Sequence, residues 1–167
     1  MKTAVTFGRF NIGHPGHVEL IEKLLSYGST ARVYVSLGGR NNDWDLRVLL
    51  LRTLCRQASI DLSRVSFLKA IDPFAGLSEV LKGRKPSEVI LVLGSDQVSL
   101  GLQLSQTFGV SFHENERSGS STTLRKVLDK GEIPAPFRGN RYALKLATLL
   151  RNNEKFRKAQ RKAKVSA

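Results

Sequence analysis

The chain has a single cysteine, Cys55, among 167 residues, so no internal disulfide can hold it and a reducing, intracellular setting is expected. Acidic residues are few: 14 Asp and Glu face 27 Lys and Arg, for a formal net charge of +13. No run approaches the ~18 consecutive apolar residues that a bilayer-spanning helix needs, and no membrane-spanning helix is expected. The opening MKTAVTFGRF holds no long apolar region ending in a small-residue cleavage site, so no secretory signal is expected either. Repeats, low-complexity stretches and domain linkers are missing as well. What remains, with 41% hydrophobic and 25% charged residues, is the composition of an ordinary globular domain.

The positive charge is unevenly spread. Residues 151–167 carry Arg151, Lys155, Arg157, Lys158, Arg161, Lys162 and Lys164 against one acid, Glu154, which leaves +6 on this tail and +7 on residues 1–150. Both parts favour anionic partners, whether nucleotides, nucleic acid or anionic surfaces. The plainer expectation for the tail is a solvated helix end that fades into disorder.

Short β-branched or apolar runs alternate with amphipathic segments. Strands are expected at Thr3–Phe7, Arg32–Leu37, Val65–Lys69, Val89–Leu93 and Val110–His113, with helices at 15–27, 44–58, 74–83 and 97–107 between them. In the first helix Val18, Ile21, Leu24 and Leu25 recur at helical spacing, Gly28 follows as a C-cap, and Asp72-Pro73 suits the start of the third. Alternation of this kind implies a five-stranded parallel sheet covered on both faces, a doubly wound α/β domain over residues 1–150. After the fifth strand come a polar loop, a short helix in TLRKVLDK closed by Gly131, a proline-interrupted connection, and a final helix from about Arg141 that turns basic at 151–167.

The chemistry concentrates in TFGRFNIGHPGHVELI, residues 6–21. The first strand runs out at Phe7, and Pro15 suits the first position of the helix. Gly8, Gly13 and Gly16 let a ligand approach the backbone, and ligands of open α/β sheets gather beyond the carboxyl ends of the strands. The unpaired N–H groups and dipole of the helix's first turn favour phosphate there. His14 just before the helix and His17 in its first turn share a face and can donate hydrogen bonds to phosphate oxygens. The constellation is read as a phosphate site rather than as one capping and one packing histidine. Further on, SGSSTTLRKVL places Ser120, Ser121 and Thr122 at a helix start and Arg125 three residues later on the same face, a second set of phosphate donors. In VILVLGSDQV a buried strand ends at Gly94-Ser95-Asp96, where Asp96 either caps the next helix or meets a ligand. In SLGGRNNDWDLRVLL, Arg40 and Arg47 supply cations, and Trp44 either stacks on an aromatic ring or, as slightly preferred, anchors the loop.

Gly8-Arg9-Phe10-Asn11-Ile12-Gly13-His14-Pro15-Gly16-His17 resembles the GxFxPxHxGH signature of the nucleotidyltransferase superfamily related to class I aminoacyl-tRNA synthetases, with Ile12 where proline is usual. Ser120-Ser121-Thr122 and Arg125 resemble its ISSTxIR signature, with Gly119 and Leu124 replacing the isoleucines. The resemblance covers most of residues 3–150. It implies a Rossmann-like fold and transfer of a nucleoside monophosphate from an NTP to a phosphate-bearing substrate, with pyrophosphate released and Mg²⁺ carried mainly by the phosphates. His14 and His17 would meet the triphosphate, His17 nearest the α-phosphate, while Arg125, Ser121 and Thr122 would hold the β- and γ-phosphates. Phe7, Gly8, Arg9, Phe10, Gly16, Gly94, Asp96 and Ser120 would line the nucleotide site, and Arg40, Trp44 and Arg47 the second substrate. Gly8-Arg9-Phe10 is more similar to the adenylyltransferases of NAD synthesis, acting on nicotinamide mononucleotide, than to cytidylyltransferases acting on phosphorylated alcohols or sugars, the alternative. Such enzymes are often homo-oligomers in the cytoplasm. The GRFN variant is also similar to small phage-encoded members. With the basic tail, it leaves a nucleic-acid-binding or virion-associated protein of this fold as an alternative of another class, located in the host cytoplasm or the virion.

Overall fold

The computed structural model describes residues 1–37, 43–70, 72–116 and 119–166. Five strands, β1 (Thr3–Gly8), β2 (Thr30–Ser36), β3 (Val65–Ala70), β4 (Val89–Gly94) and β5 (Ser111–Asn115), form one parallel sheet in the order β3-β2-β1-β4-β5. Helices α1 (Pro15–Tyr27), α2 (Trp44–Gln57), α3 (Pro73–Val80) and α4 (Val98–Phe108) make the crossovers, and α5 (Ser121–Asp129) and α6 (Arg141–Ser166) follow the last strand. This is the doubly wound arrangement expected from the alternation. The differences are at element ends: β2 begins at Thr30, β5 runs to Asn115 and α3 stops at Val80. Among the described residues no helix is long and apolar enough to cross a membrane.

Side chains alternate across β1 and build two cores. Ala4 faces α1, α2 and the later helices together with Ile21, Leu24, Leu51, Leu124 and Leu150. Val5 and Phe7 face α3 and α4 together with Leu77, Val80 and Leu104. Burying each large apolar side chain is worth roughly 1.5–3 kcal/mol, so each face of the sheet is held by several such terms. Gly28 closes α1 with an ordinary negative φ of −126°. It is glycine because a Cβ there would lie 2.8–2.9 Å from backbone atoms of Lys2, Ala4 and Thr30.

Two features position the site. The β1–β4 ladder runs only from Thr3↔Val89 to Val5↔Leu91, whereas β1 stays paired with β2 through Gly8 and β4 with β5 through Gly94. The sheet therefore opens a crevice between the carboxyl ends of β1 and β4, the strand pair at which the order reverses and ligands of such sheets bind. The second feature is α6. It crosses residue 150 without a break and stays helical through Ser166, so the expected boundary at 150 falls inside a helix. Its first turns bury Ala143, Leu146, Ala147 and Leu150. The next turns dock through ion pairs: Arg151 and Lys155 with Asp129, and Arg157 with Asp43. From Lys158 to Val165 every residue of the helix is exposed.

Candidate functional site

A cleft of about 660 Å³ opens at the β1–β4 crevice. The three residues expected to do chemistry, His14, His17 and Arg125, all line it. So do all ten expected nucleotide contacts: Phe7, Gly8, Arg9, Phe10, Gly16, Gly94, Asp96, Ser120, Ser121 and Thr122.

The histidines take up the capping role that the sequence reading set against phosphate binding. His14 is the N-cap of α1, its Nδ1 accepting the Gly16 N–H at 3.0 Å, and the His14 N–H in turn donates to Nδ1 of His17 at 3.3 Å. Capping thus fixes the pair, against the expectation, because histidine stands outside the usual Ser, Thr, Asp and Asn caps. The geometry has a chemical consequence. With Nδ1 of each ring accepting a backbone N–H, a neutral ring carries its proton on Nε2. Both rings are then donors at Nε2, the polarity that phosphate oxygens require and a metal ion does not. The rings stack at 3.9 Å and Phe10 packs edge-on against His17 at 5.0 Å, so both imidazoles are fixed.

The two motifs are bonded to each other. Ser121 Oγ donates to the Ile12 carbonyl at 2.9 Å, and Arg125 Nη2 donates to the Asn11 carbonyl at 2.7 Å. Ile12 is fully buried. The loop that lacks the usual proline is held instead by side chains more than a hundred residues away. Ser120 caps α5, accepting the Thr123 N–H at 3.4 Å. Gly119 before it has φ +81°, and a Cβ there would stand 3.2 Å from His14 Nδ1. The close approach of the two motifs therefore requires glycine at this point.

Two of the residues expected at the second substrate, Arg47 and Trp44, bond to backbone carbonyls. Arg47 is 1% exposed and outside the cleft lining. Its Nη1 donates to the Arg9 carbonyl at 2.6 Å and its Nη2 to the Ser36 carbonyl at 2.7 Å. It ties the ends of β1 and β2 together, and burial pushes its guanidinium pKa down despite the nearby Asp43. Trp44 donates from Nε1 to the Val35 carbonyl at 3.0 Å and lies under the Lys69 ammonium, the anchoring role. Arg40 falls outside the described residues. Asp96 lines the cleft but does not cap α4, whose N-cap is Gln97 with no side-chain cap bond.

Six further polar or small residues line the cleft: Thr6, Asn11, Gln97, Asn115, Gly119 and Glu154. Thr6 and Asn11 have signals in hindsight. Each places a buried oxygen, Thr6 Oγ1 and Asn11 Oδ1, without a hydrogen-bond partner, and both sit within the first motif. Glu154 is the single acid of the basic tail. It accepts Arg125 Nε on both oxygens at 3.0 and 3.1 Å. Across the wall formed by His14, Gly16, Gly119 and Ser120 lies a second hollow of about 510 Å³, mostly apolar, with Leu124, Val127, Ile133 and Pro134 in its lining. Among the described residues, no group of three or more His, Cys, Asp or Glu could hold a metal ion by itself.

No protein-family model and no curated protein sequence matches the chain. Solved structures do. The chain is similar to a candidate nicotinate-nucleotide adenylyltransferase from Vibrio parahaemolyticus, at 19% identity and a TM-score of 0.64 over 81% of this chain and 86% of that one. It is also similar to a bifunctional NMN adenylyltransferase/ADP ribose pyrophosphatase from Francisella tularensis, at 16% identity and a TM-score of 0.71 over 99% of this chain. A structure of such a Francisella tularensis enzyme complexed with AMP and a Mn ion gives 16% and 0.66. The chain spans 57% and 56% of the length of those two chains. At these identities the likeness speaks for the fold, the Rossmann-like α/β fold expected from the sequence.

Proposed function

We propose that the cleft binds a nucleoside triphosphate and transfers its nucleoside monophosphate to a phosphate-bearing small molecule, with ATP as the donor and nicotinamide mononucleotide as the acceptor. The observation that carries this reading is the convergence of two phosphate-binding motifs, hydrogen-bonded to each other, on one cleft at the strand switch point. The named activities of the similar structures, NMN and nicotinate-nucleotide adenylyl transfer, support it.

A phosphate oxygen of the acceptor attacks the α-phosphorus in line. The bond from that phosphorus to the bridging oxygen of the β-phosphate breaks, and pyrophosphate leaves with the electron pair. No covalent enzyme intermediate is needed, so catalysis is positioning plus stabilisation of developing charge. His14 and His17, as Nε2 donors, act at the α-phosphate, and Arg125 with the α5 N-terminus at the leaving pyrophosphate. The polar cleft and the adjoining apolar hollow together suit a nucleotide, with phosphates in the first and a base against Leu124 and Val127 in the second. A divalent cation fits the polar cleft only as a companion of the phosphates, with Asp96 the acid lining the cleft besides the Arg125-bonded Glu154, and it would offset their charge.

The test is incubation with ATP, Mg²⁺ and nicotinamide mononucleotide. Pyrophosphate release that needs both substrates is expected. CTP with a phosphorylated alcohol working in their place would move the reading to cytidylyl transfer, and no release with any NTP would end it.

A further inference from the structure

Glu154 is where the basic tail and the cleft meet. It lies one helical turn beyond Leu150, the last fully buried residue of α6, and so on the same face of that helix. Its neighbours hold the helix in place. Arg151 grips Asp129 with two bonds of 2.8 Å, Lys155 reaches the same carboxylate at 2.8 Å, and Arg157 grips Asp43 at 2.6 and 2.9 Å. Asp129 sits one turn after Arg125 on α5, so the turn of α6 that carries Glu154 is pinned directly beside that arginine. These pairs shift the arginine pKa values upward, Arg151 through Asp129 and Arg157 through Asp43, and Arg151 and Lys155 hold the Asp129 carboxyl well below its ordinary range.

Arg125 is then held from two sides. Nε is taken by both Glu154 oxygens and Nη2 by the Asn11 carbonyl. Among the described residues Nη1 makes no hydrogen bond, and Arg125 lines the cleft. An unrestrained arginine side chain must lose rotamer freedom when it binds an anion, and one already fixed loses less. A carboxylate at the Nε edge also differs from a block. A blocking carboxylate would take the two terminal nitrogens as a bidentate pair.

Resting on the reading of the cleft as a nucleotide site, we propose that Glu154 is a positioning residue for Arg125, holding the guanidinium so that Nη1 meets a phosphate of the bound triphosphate. Residues 151–157 thereby belong to the site rather than to an appended tail.

The experiment is a double-mutant cycle of Glu154→Gln and Arg125→Met in the full chain, followed by pyrophosphate release at varied ATP. In the wild-type background Glu154→Gln is expected to raise KM for ATP about 3- to 10-fold, with a smaller change in kcat. In the Arg125→Met background the same substitution is expected to change nothing, because its only route to the substrate is gone. Glu154→Asp should recover part of the loss. A purely structural role would lower the melting temperature and act equally in both backgrounds, which overturns the proposal. So does a lowered KM, the mark of a carboxylate competing with phosphate. A second readout needs no turnover: the Arg125 Nε–H resonance should exchange slowly with solvent in the wild type and fast in Glu154→Gln, and equal exchange overturns the proposal. A wild type that is inert toward every nucleotide overturns the reading of the cleft and this proposal with it. It is told apart from failure of the proposal alone, in which the wild type turns over and the Gln variant matches it.

Discussion

Two helices that start at the rim of the sheet, α2 and α5, each send an arginine to carbonyls of the same β1–α1 loop. Arg47 reaches Arg9 and Arg125 reaches Asn11. Their surroundings separate them. Arg47 is 1% exposed and gives its terminal nitrogens to two backbone carbonyls, so what it holds is protein. Arg125 keeps a quarter of its side chain accessible at the cleft and pairs with a carboxylate on its Nε edge. The same residue type, near the same end of a helix, serves as a strut in one place and lines the cleft in the other. Burial decides which, and burial is what a motif does not state.

The comparison can be broken in several ways. The largest effect is expected on the α1 side of the cleft. His17→Ala should lower turnover about 100- to 1,000-fold, the loss typical of one donor to developing charge, measured by pyrophosphate release. His14→Asn keeps an acceptor for the Gly16 N–H, so any comparable loss there reports the Nε2 donor and not the cap. Next comes the exchange between the arginines. Arg47→Met should cost about 2–4 kcal/mol of stability, because two buried carbonyls lose charged donors, and melting should drop by roughly 5–15 °C for a chain of this size. Arg125→Met should lower melting by less than Arg47→Met does, since one carbonyl rather than two loses its charged donor, and should cut kcat/KM about 10- to 100-fold, as loss of a charged hydrogen bond does. If each variant showed the other's phenotype, the assignment of strut and ligand contact would be reversed.

A smaller effect is expected at Trp44. Trp44→Phe removes the bond to the Val35 carbonyl and should cost about 1 kcal/mol in denaturant melts, with KM for both substrates unchanged. A raised KM for the acceptor would return Trp44 to the second substrate. Smallest is a pH effect from the sealed face of α2. Burial pushes the Cys55 thiol from its ordinary 9.0 up to about 12. The unfolded thiol ionises first, so stability from this group is full below pH 9 and lost as pH rises toward 12. Urea melts at pH 8 and 10.5 should differ less in Cys55→Ala than in the wild type.

The alternation of strands and helices, and hence the fold, was legible because period and punctuation are local properties. So was the cluster that lines the cleft: His14, His17, Ser120, Ser121, Thr122 and Arg125 stand in two short stretches that can be recognised without knowing that they touch. The fate of Arg47 was not legible, since it depends on which carbonyls distant strand ends leave unpaired, whereas anchoring was already the slightly preferred reading of Trp44. Glu154 was hidden for another reason. Net charge made the tail look uniform, whereas one acid at the right helical turn docks it beside Arg125. The histidine cap was not legible because side-chain capping depends on loop geometry that residue type only biases.

Under the proposed function the β1–α1 loop and the α5 N-terminus make one nucleotide-phosphate site. The most direct measurement is the melting temperature of the wild type, His17→Ala and Arg125→Met with and without ATP and Mg²⁺. At nucleotide about a hundredfold above its Kd the wild type should rise by roughly 5–10 °C, and both variants by much less at the same concentration. A wild type unmoved by ATP and by CTP, or a rise undiminished in both variants, would contradict it.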